Sequence, residues 1–150
     1  MKKTYMLALT IALSIGVVST AEARNTRYML PIKDALNTAT ADEKLDDSIP
    51  LFFGHHSHPR VIQNFDSWVT SRKSNGLGHS DVEACNRAFL SGLIELQKRA
   101  RKEGGNAVIN IISYYDKNPV SSNTEFECHA GAVIAGVALK GDVVKLAGRR

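Results

Sequence analysis

Apolar residues recur at steps of three and four along the middle of the chain, which is the spacing of one buried helical stripe. Ser80 and Glu83 form the pattern of a capping box just before this stripe, and Gly104 follows it as a left-handed C-cap would. We therefore predict one long helix between Ser80 and Gly104. Its buried positions are Val82, Cys85, Phe89, Leu93, Leu96 and Ala100.

Two apolar runs follow this helix, Ala107–Tyr115 and Glu125–Leu139, and a polar turn joins them. Their length and apolar content predict two neighbouring strands. The second run is rich in alanine and glycine, and such small residues allow a helix to approach a sheet closely. Gly141-Asp142 predicts a turn, followed by one last short strand at Val143–Leu146.

Shorter segments before the helix complete the predicted fold. Ile49–Phe53 is predicted to be an edge strand, because its proline would remove a hydrogen bond from a central strand. Val61–Thr70 predicts a further strand, and Lys33–Leu45 a weak helix. The order strand, helix, strand, strand is typical of an α+β fold, here a small, mostly antiparallel sheet packed on one long helix.

The first residues have the pattern of an export signal. Lys2 and Lys3 precede an apolar run, Tyr5–Val18, and Ala21-Glu22-Ala23 is a small-x-small cleavage site. We predict a signal peptide over residues 1–23, cleaved after Ala23, and a periplasmic protein without stable membrane insertion. An uncleaved anchor is the alternative, but the apolar run is short for a membrane span.

The rest of the chain has the size of one domain. Residues 24–48 are predicted to form a variable polar segment, and residues 49–150 a single α+β domain. The formal net charge is +4 over 150 residues, which is too small to indicate a nucleic-acid partner.

Two cysteines, Cys85 and Cys128, follow the predicted signal. An oxidising compartment favours their pairing. Cys85 lies on the buried helical stripe, and Cys128 lies on a strand face able to pack against it, so we predict a disulfide. A reactive thiol and a metal ligand are the alternatives, and the chain has no CxxC motif to favour them.

Three histidines, His55, His56 and His58, fall in one short loop. Imidazoles in this number are typical of a zinc, copper or nickel site, with His79 or His129 completing the shell. No HExxH motif or cysteine pair fixes a coordination geometry, and exposed histidines in loops are usually polar surface. A plain surface loop is therefore the favoured interpretation, and metal binding is the alternative.

Candidate catalytic groups lack the neighbours that their chemistry requires. Ser57 is not in a GxSxG motif. Cys85 with His129 resembles a thiol–imidazole pair, but His129 and Cys128 point to opposite faces of a strand. The acidic residues considered for pairing are Asp66, Glu125 and Glu127. We predict that the protein is not an enzyme.

Three aromatic residues are candidates for a partner-binding surface. Trp68, Tyr114 and Tyr115 are of the types common at binding hot spots. Cross-strand packing is the more ordinary explanation for such residues; of the three, Tyr114-Tyr115, beside the long polar turn, is the better candidate for binding.

Several segments resemble a group of small exported proteobacterial proteins that are often labelled "excinuclease ATPase subunit". These segments are Ala88–Ser91, Ala100–Asn110, Phe126–Cys128 and Ala135–Leu146. The label disagrees with the chemistry, because a P-loop ends in lysine and serine or threonine, whereas here Gly131–Gly136 precedes Val137-Ala138. Zinc-binding cysteine pairs are also missing, so excinuclease activity is not expected.

A looser resemblance is to the RcsF-like and YbjQ-like domains, on Gly105–Val108 and Gly136–Ala138. It implies a similar fold and a binding role, in envelope sensing or metal binding. The lipid-anchor cysteine of RcsF is missing here.

These observations together predict an exported, non-enzymatic binding or envelope-sensing module whose partner is an envelope protein or component. A metal-binding protein that uses the histidine loop, with zinc, copper or nickel as its only cofactor, is the alternative. A thiol-dependent enzyme is the third possibility.

Overall fold

The fold is described from a computed structural model that covers residues 23–148; the predicted signal peptide lies outside these residues except for Ala23. This part of the chain contains six strands, three helices and one 3₁₀ turn. In order they are β1 (Thr26–Pro31), α1 (Ile32–Leu36), α2 (Ala39–Lys44), β2 (Leu51–Phe53), β3 (Val61–Asn75), α3 (Asp81–Glu103), β4 (Ala107–Ser113), a 3₁₀ turn (Tyr115–Lys117), β5 (Glu125–Ala130) and β6 (Ile134–Leu146).

Strand β6 is the centre of the sheet. On one side β3 pairs with it antiparallel over its whole length. On the other side β4 pairs with its C-terminal half and β5 with its N-terminal end, both antiparallel. β1 extends the sheet antiparallel to β5, and β2 extends it parallel to β4. Because α3 packs on one face of this sheet, the predicted α+β class is confirmed.

The ends of α3 depend on local chemistry. Ser80 Oγ accepts a hydrogen bond from the Glu83 backbone N–H at 3.2 Å, and the Glu83 carboxylate accepts one from the Ser80 N–H at 3.0 Å. Gly104 ends the helix with a φ of +82°, a conformation that glycine adopts without a Cβ clash. Both predicted ends are confirmed.

Removal of the Ser80 hydroxyl tests how much the N-cap of α3 contributes to stability. Ser80→Ala is expected to lower the free energy of unfolding by about 1 kcal/mol, because the Glu83 N–H loses its acceptor. Urea unfolding measures the change. Ser57→Ala, an exposed loop substitution, is the control and should change the free energy by less than about 0.5 kcal/mol. Equal effects of the two substitutions would contradict a role for the cap.

The run Glu125–Leu139, predicted as one strand, is two strands. β5 ends at Ala130 and β6 begins at Ile134, so the single-strand prediction was wrong. The chain reverses at Gly131, whose N–H donates to the Ile134 carbonyl at 2.8 Å. Nothing in the apolar pattern distinguishes this short reversal from a continuous strand, because the residues around it are also small and apolar.

The turn predicted at Gly141-Asp142 was also wrong, because β6 continues through it to Leu146. A Cβ at Gly141 would lie 2.7 Å from Val108 Cγ1 and 3.2 Å from Ile111 Cγ1. This glycine therefore makes room for the side chains of β4 under α3 and does not turn the chain.

The segments before α3 also differ in part from the prediction. The edge position of β2 is confirmed, and the strand predicted over Val61–Thr70 is present but continues to Asn75. The weak helix predicted over Lys33–Leu45 is two short helices, because Thr38 starts a second one by accepting from the Ala41 N–H at 3.2 Å. The pattern did not predict β1.

The main core lies between α3 and the sheet. Phe89 of α3 stacks on Phe126 of β5 with ring centroids 3.9 Å apart, and Phe53 of β2 packs on Phe89 at 6.1 Å. Cys85 and Cys128, both 0% exposed, form a disulfide that joins α3 to β5. The predicted disulfide is confirmed.

Candidate functional site

The two faces of the sheet are covered differently. Side chains of β6 alternate between the faces: Leu139 lies against Gly92 of α3, whereas Gly136 lies towards the ring of Tyr115 on the opposite side. Helix α3 covers the first face. The second face carries the 3₁₀ turn and, in the part of the chain that the structure describes, is open beside it.

One end of the second face is closed by a small core of its own. The buried residues there are Ala107, Ile109, Val144 and Leu146. Phe52 and Val61 pack on them, and the ring of His58 packs edge-on against Phe52 with centroids 5.7 Å apart. The open part of the face therefore lies over the first half of β6.

A groove of about 580 Å³ occupies this open part, between β3 and the 3₁₀ turn. Gly136 and Ala138 of β6 form its floor, and Tyr114 and Tyr115 form one side. Val69 of β3, 53% exposed, lines the opposite side. Because the floor has almost no side chains, a ligand can approach the sheet backbone while it contacts both tyrosine rings.

Positive charge borders this tyrosine groove. Lys73 of β3 and Lys117 of the 3₁₀ turn both line it, and Lys140 Nζ lies 5.3 Å from the ring centroid of Tyr114. Asp116 also lines the groove. Three lysines against one aspartate leave a local excess of positive charge, which attracts anionic groups.

Tyr115 is held in place from behind by a network of charged groups. Its ring stacks on His129 with centroids 3.7 Å apart. His129 Nε2 lies 2.7 Å from Glu127 Oε1, and Arg27 donates to Glu127 Oε2 at 3.0 Å. Burial alone would raise the pKa of Glu127, but the hydrogen bonds from Arg27 and His129 outweigh it and lower that pKa. The tyrosine side is thus preorganised.

Trp68, predicted as part of the same surface, lies on the other face of the sheet. It is half-buried against the main core, and the Arg99 guanidinium carbon sits 3.8 Å from its ring centroid. Arg72, four residues further along β3, pairs with Glu95 of α3 at 2.9 Å. The structure therefore brings Tyr114 and Tyr115 together but leaves Trp68 under α3.

The histidines proposed as metal ligands lie in several places. His55 and His56 are exposed in the loop after β2, whereas His58 packs on Phe52. His79 precedes α3, and His129 stacks in β5. Among residues 23–148, no group of three or more His, Cys, Asp or Glu side chains is arranged to hold a metal ion. Metal binding by this loop stays a prediction.

The groups considered for catalysis are also separate. Cys85 and Cys128 are joined in the disulfide, so neither is a free thiol in this structure. His129 lies on the opposite face of β5, as expected from strand geometry, and stacks on Tyr115. Ser57 is exposed in the histidine loop, and of the acidic residues only Glu127 lies in the network behind the groove.

Sequence reasoning missed the lysines and the floor of the groove. As small residues of the second apolar run, Gly136 and Ala138 are predicted to contact a helix, but they face away from α3. Their spacing of two residues was the signal that they share a face. Nothing local indicates that Lys73 and Lys117, far apart in the chain, line the same groove.

Comparisons of the chain with protein-family models, with curated proteins and with solved structures found no match. None of the helices in residues 23–148 has the length and apolar character that crossing a membrane requires.

Proposed function

We propose that this protein is an exported, non-enzymatic binding module that holds an acidic peptide segment of an envelope protein in the tyrosine groove. The observation that carries the proposal is the groove itself, with a floor of Gly136 and Ala138, a side of two tyrosines, and lysines at its border.

The chemistry of these side chains favours binding over catalysis. Tyrosine supplies a large contact area and loses little conformational entropy on binding. Lysines at the border speed encounter with carboxylates and give specificity for them. The nearby imidazole and carboxylate, His129 and Glu127, are engaged with Tyr115 and Arg27.

Export to the periplasm is supported by two independent features. The N-terminal residues have the pattern of a cleaved signal, and the buried disulfide between Cys85 and Cys128 suits an oxidising compartment. An envelope protein is the partner class available there.

Fluorescence anisotropy with a labelled peptide tests the proposal. The probe is an extended peptide of about ten residues, long enough to cross the groove, that alternates glutamate and valine; its counterpart has lysine in place of glutamate. We expect the acidic peptide to bind and its counterpart to bind at least about tenfold more weakly.

Substitutions inside and outside the groove test whether the peptide binds there. Tyr114→Ala is expected to weaken binding of the acidic peptide by about tenfold, because a hot-spot ring is lost. Lys117→Glu is expected to weaken that binding by a few-fold and to make it depend less on salt concentration. Leu77→Ala and Lys102→Glu, exposed positions outside the groove, are the matched controls. Binding of both peptides alike, or equal loss in variants and controls, would contradict the proposal.

A further inference from the structure

A second pocket, of about 480 Å³, lies where the end of β3 meets α2 and α3. Lys44 of α2, Lys73 of β3 and Arg87 of α3 line it together with His79. The hydroxyls that line it are Thr40, Ser74 and Ser91. No carboxylate is among these lining residues. The Lys73 side chain leaves β3 on the groove side, beside Gly136, so the pocket combines the cations of Lys44 and Arg87 with several hydroxyl donors.

Arg87 is unlike most arginines of the described chain. Five others each form an ion pair with a carboxylate, in the pairs Arg24–Asp81, Arg27–Glu127, Arg72–Glu95, Arg99–Glu103 and Arg101–Asp46. Arg87 has no such partner within residues 23–148 although it is half-buried. Arg87 therefore has no direct ion-pair partner there, and its charge acts on the Glu83 carboxyl only through space.

The guanidinium of Arg87 is nevertheless held in place. Its Nη2 donates to the Asn75 carbonyl at 2.6 Å, and its Nη1 lies 3.1 Å from His79 Nε2. Its Nε, shielded from solvent, has no acceptor in the described part of the chain. The side chain thus carries more N–H donors than the surrounding acceptors satisfy, which is the arrangement of a positioned anion-binding group.

One carboxylate lies near Arg87, and it is hydrogen-bonded to the start of α3. Glu83, one turn before Arg87, lines an adjoining cleft. It accepts from the Ser80 N–H at 3.0 Å as part of the capping box, and its lowered pKa comes first from that backbone hydrogen bond. Glu83 therefore caps the start of α3 and does not line the basic pocket, but it shares the adjoining cleft with Arg87 and His79, and its Oε2 lies 3.7 Å from His79 Nδ1.

We infer that this basic pocket binds a phosphate-type anion, either free or as the headgroup of a lipid. An arginine with unsatisfied N–H donors and a lysine suit a tetrahedral oxyanion, and hydroxyls supply further donors to its oxygens. Neither Lys44 nor Arg87 lines the tyrosine groove, so the inference does not depend on the proposed function.

Calorimetric titration of the purified protein with inorganic phosphate tests the free anion, with sulfate as a second probe. Sedimentation with vesicles tests the headgroup, by comparing phosphatidylglycerol with phosphatidylcholine alone. We expect saturable binding of phosphate, or selective binding of the phosphatidylglycerol vesicles. The first result identifies a soluble ligand and the second a lipid headgroup. Failure of both assays would overturn the inference.

Arg87→Gln is expected to weaken this binding by at least about tenfold, with Arg87→Lys restoring part of it. Arg60→Gln is the matched control, since Arg60 is exposed and forms no ion pair within residues 23–148. Amide shifts on adding phosphate should centre on Lys44, His79 and Ser91. Equal binding by the Gln variants, or shifts elsewhere, would overturn the inference. Acidic-peptide binding should not change in Arg87→Gln, so the two sites are tested separately.

Discussion

Loss of the disulfide, in a variant that carries Cys85→Ala and Cys128→Ala together, is expected to lower the free energy of unfolding by about 4 kcal/mol. The bond links residues 43 positions apart, and opening that loop increases the entropy of the unfolded chain. Since domains are stable by only about 5–15 kcal/mol, this is a large share of the total. Urea unfolding followed by the fluorescence of Trp68, the single tryptophan, measures it.

The wild-type protein with its disulfide reduced is the matched control. It should unfold near the same urea concentration as the double variant, because the two share an unlinked unfolded chain. Coincident midpoints for the oxidised wild type and the double variant would contradict a stabilising disulfide. In that case residual structure in the unfolded state would be offsetting the loop entropy.

Phe89→Ala is expected to lower the free energy of unfolding by about 3–5 kcal/mol. Phe89 is 0% exposed and contacts the rings of Phe126 and Phe53. Truncation removes the apolar surface of the ring and leaves a cavity between α3 and the sheet, where backbone on both sides limits collapse. Urea unfolding of this variant gives the change.

Two further variants distinguish the effect of the cavity on stability from the effect of losing any apolar side chain. Phe89→Leu keeps most of the side-chain volume and should lower the free energy of unfolding by less than Phe89→Ala does. Leu77→Ala, at an exposed side chain, should change that free energy by less than about 0.5 kcal/mol. If Phe89→Ala and Leu77→Ala had equal effects, the stacked ring would not be the centre of the core.

The features that sequence reasoning found correctly depend on neighbours in the chain. The capping box needs only Ser80 and Glu83, three residues apart, and the end of α3 needs only the freedom of Gly104 to adopt a positive φ. The disulfide was also predictable, because Cys85 lies on the buried stripe and a single pairing was available.

The errors came from strand boundaries in apolar segments. Alternation of side chains is the same in one long strand as in two strands joined by a tight hairpin, so Gly131 gave no clear break. Glycine is typical of turns, but at Gly141 the absence of a side chain leaves space for Val108 and Ile111 under α3. Which role a glycine takes depends on the atoms that face it, and those belong to another strand.

The candidate site is predictable only in part, because the face on which a residue lies depends on how its strand pairs with another. Tyr114 and Tyr115 adjoin a polar turn and were identified from their type and position. Trp68 has the same chemistry, yet the register of β3 against β6 places it opposite Gly141, on the face under α3. A shift of one residue in that pairing would reverse its face.

By itself the sequence determined the α+β class, the limits of the long helix and the partners of the disulfide, because each depends on spacing within a segment or on a unique pair of cysteines. Only the tertiary structure decided which face of the sheet stays open and which lysines border the groove. It also decided that Arg87 lines a pocket with Lys44 and several hydroxyls and forms no direct ion pair within residues 23–148. These properties arise from the pairing of strands distant in the chain, and residue periodicity carries no information about such pairing.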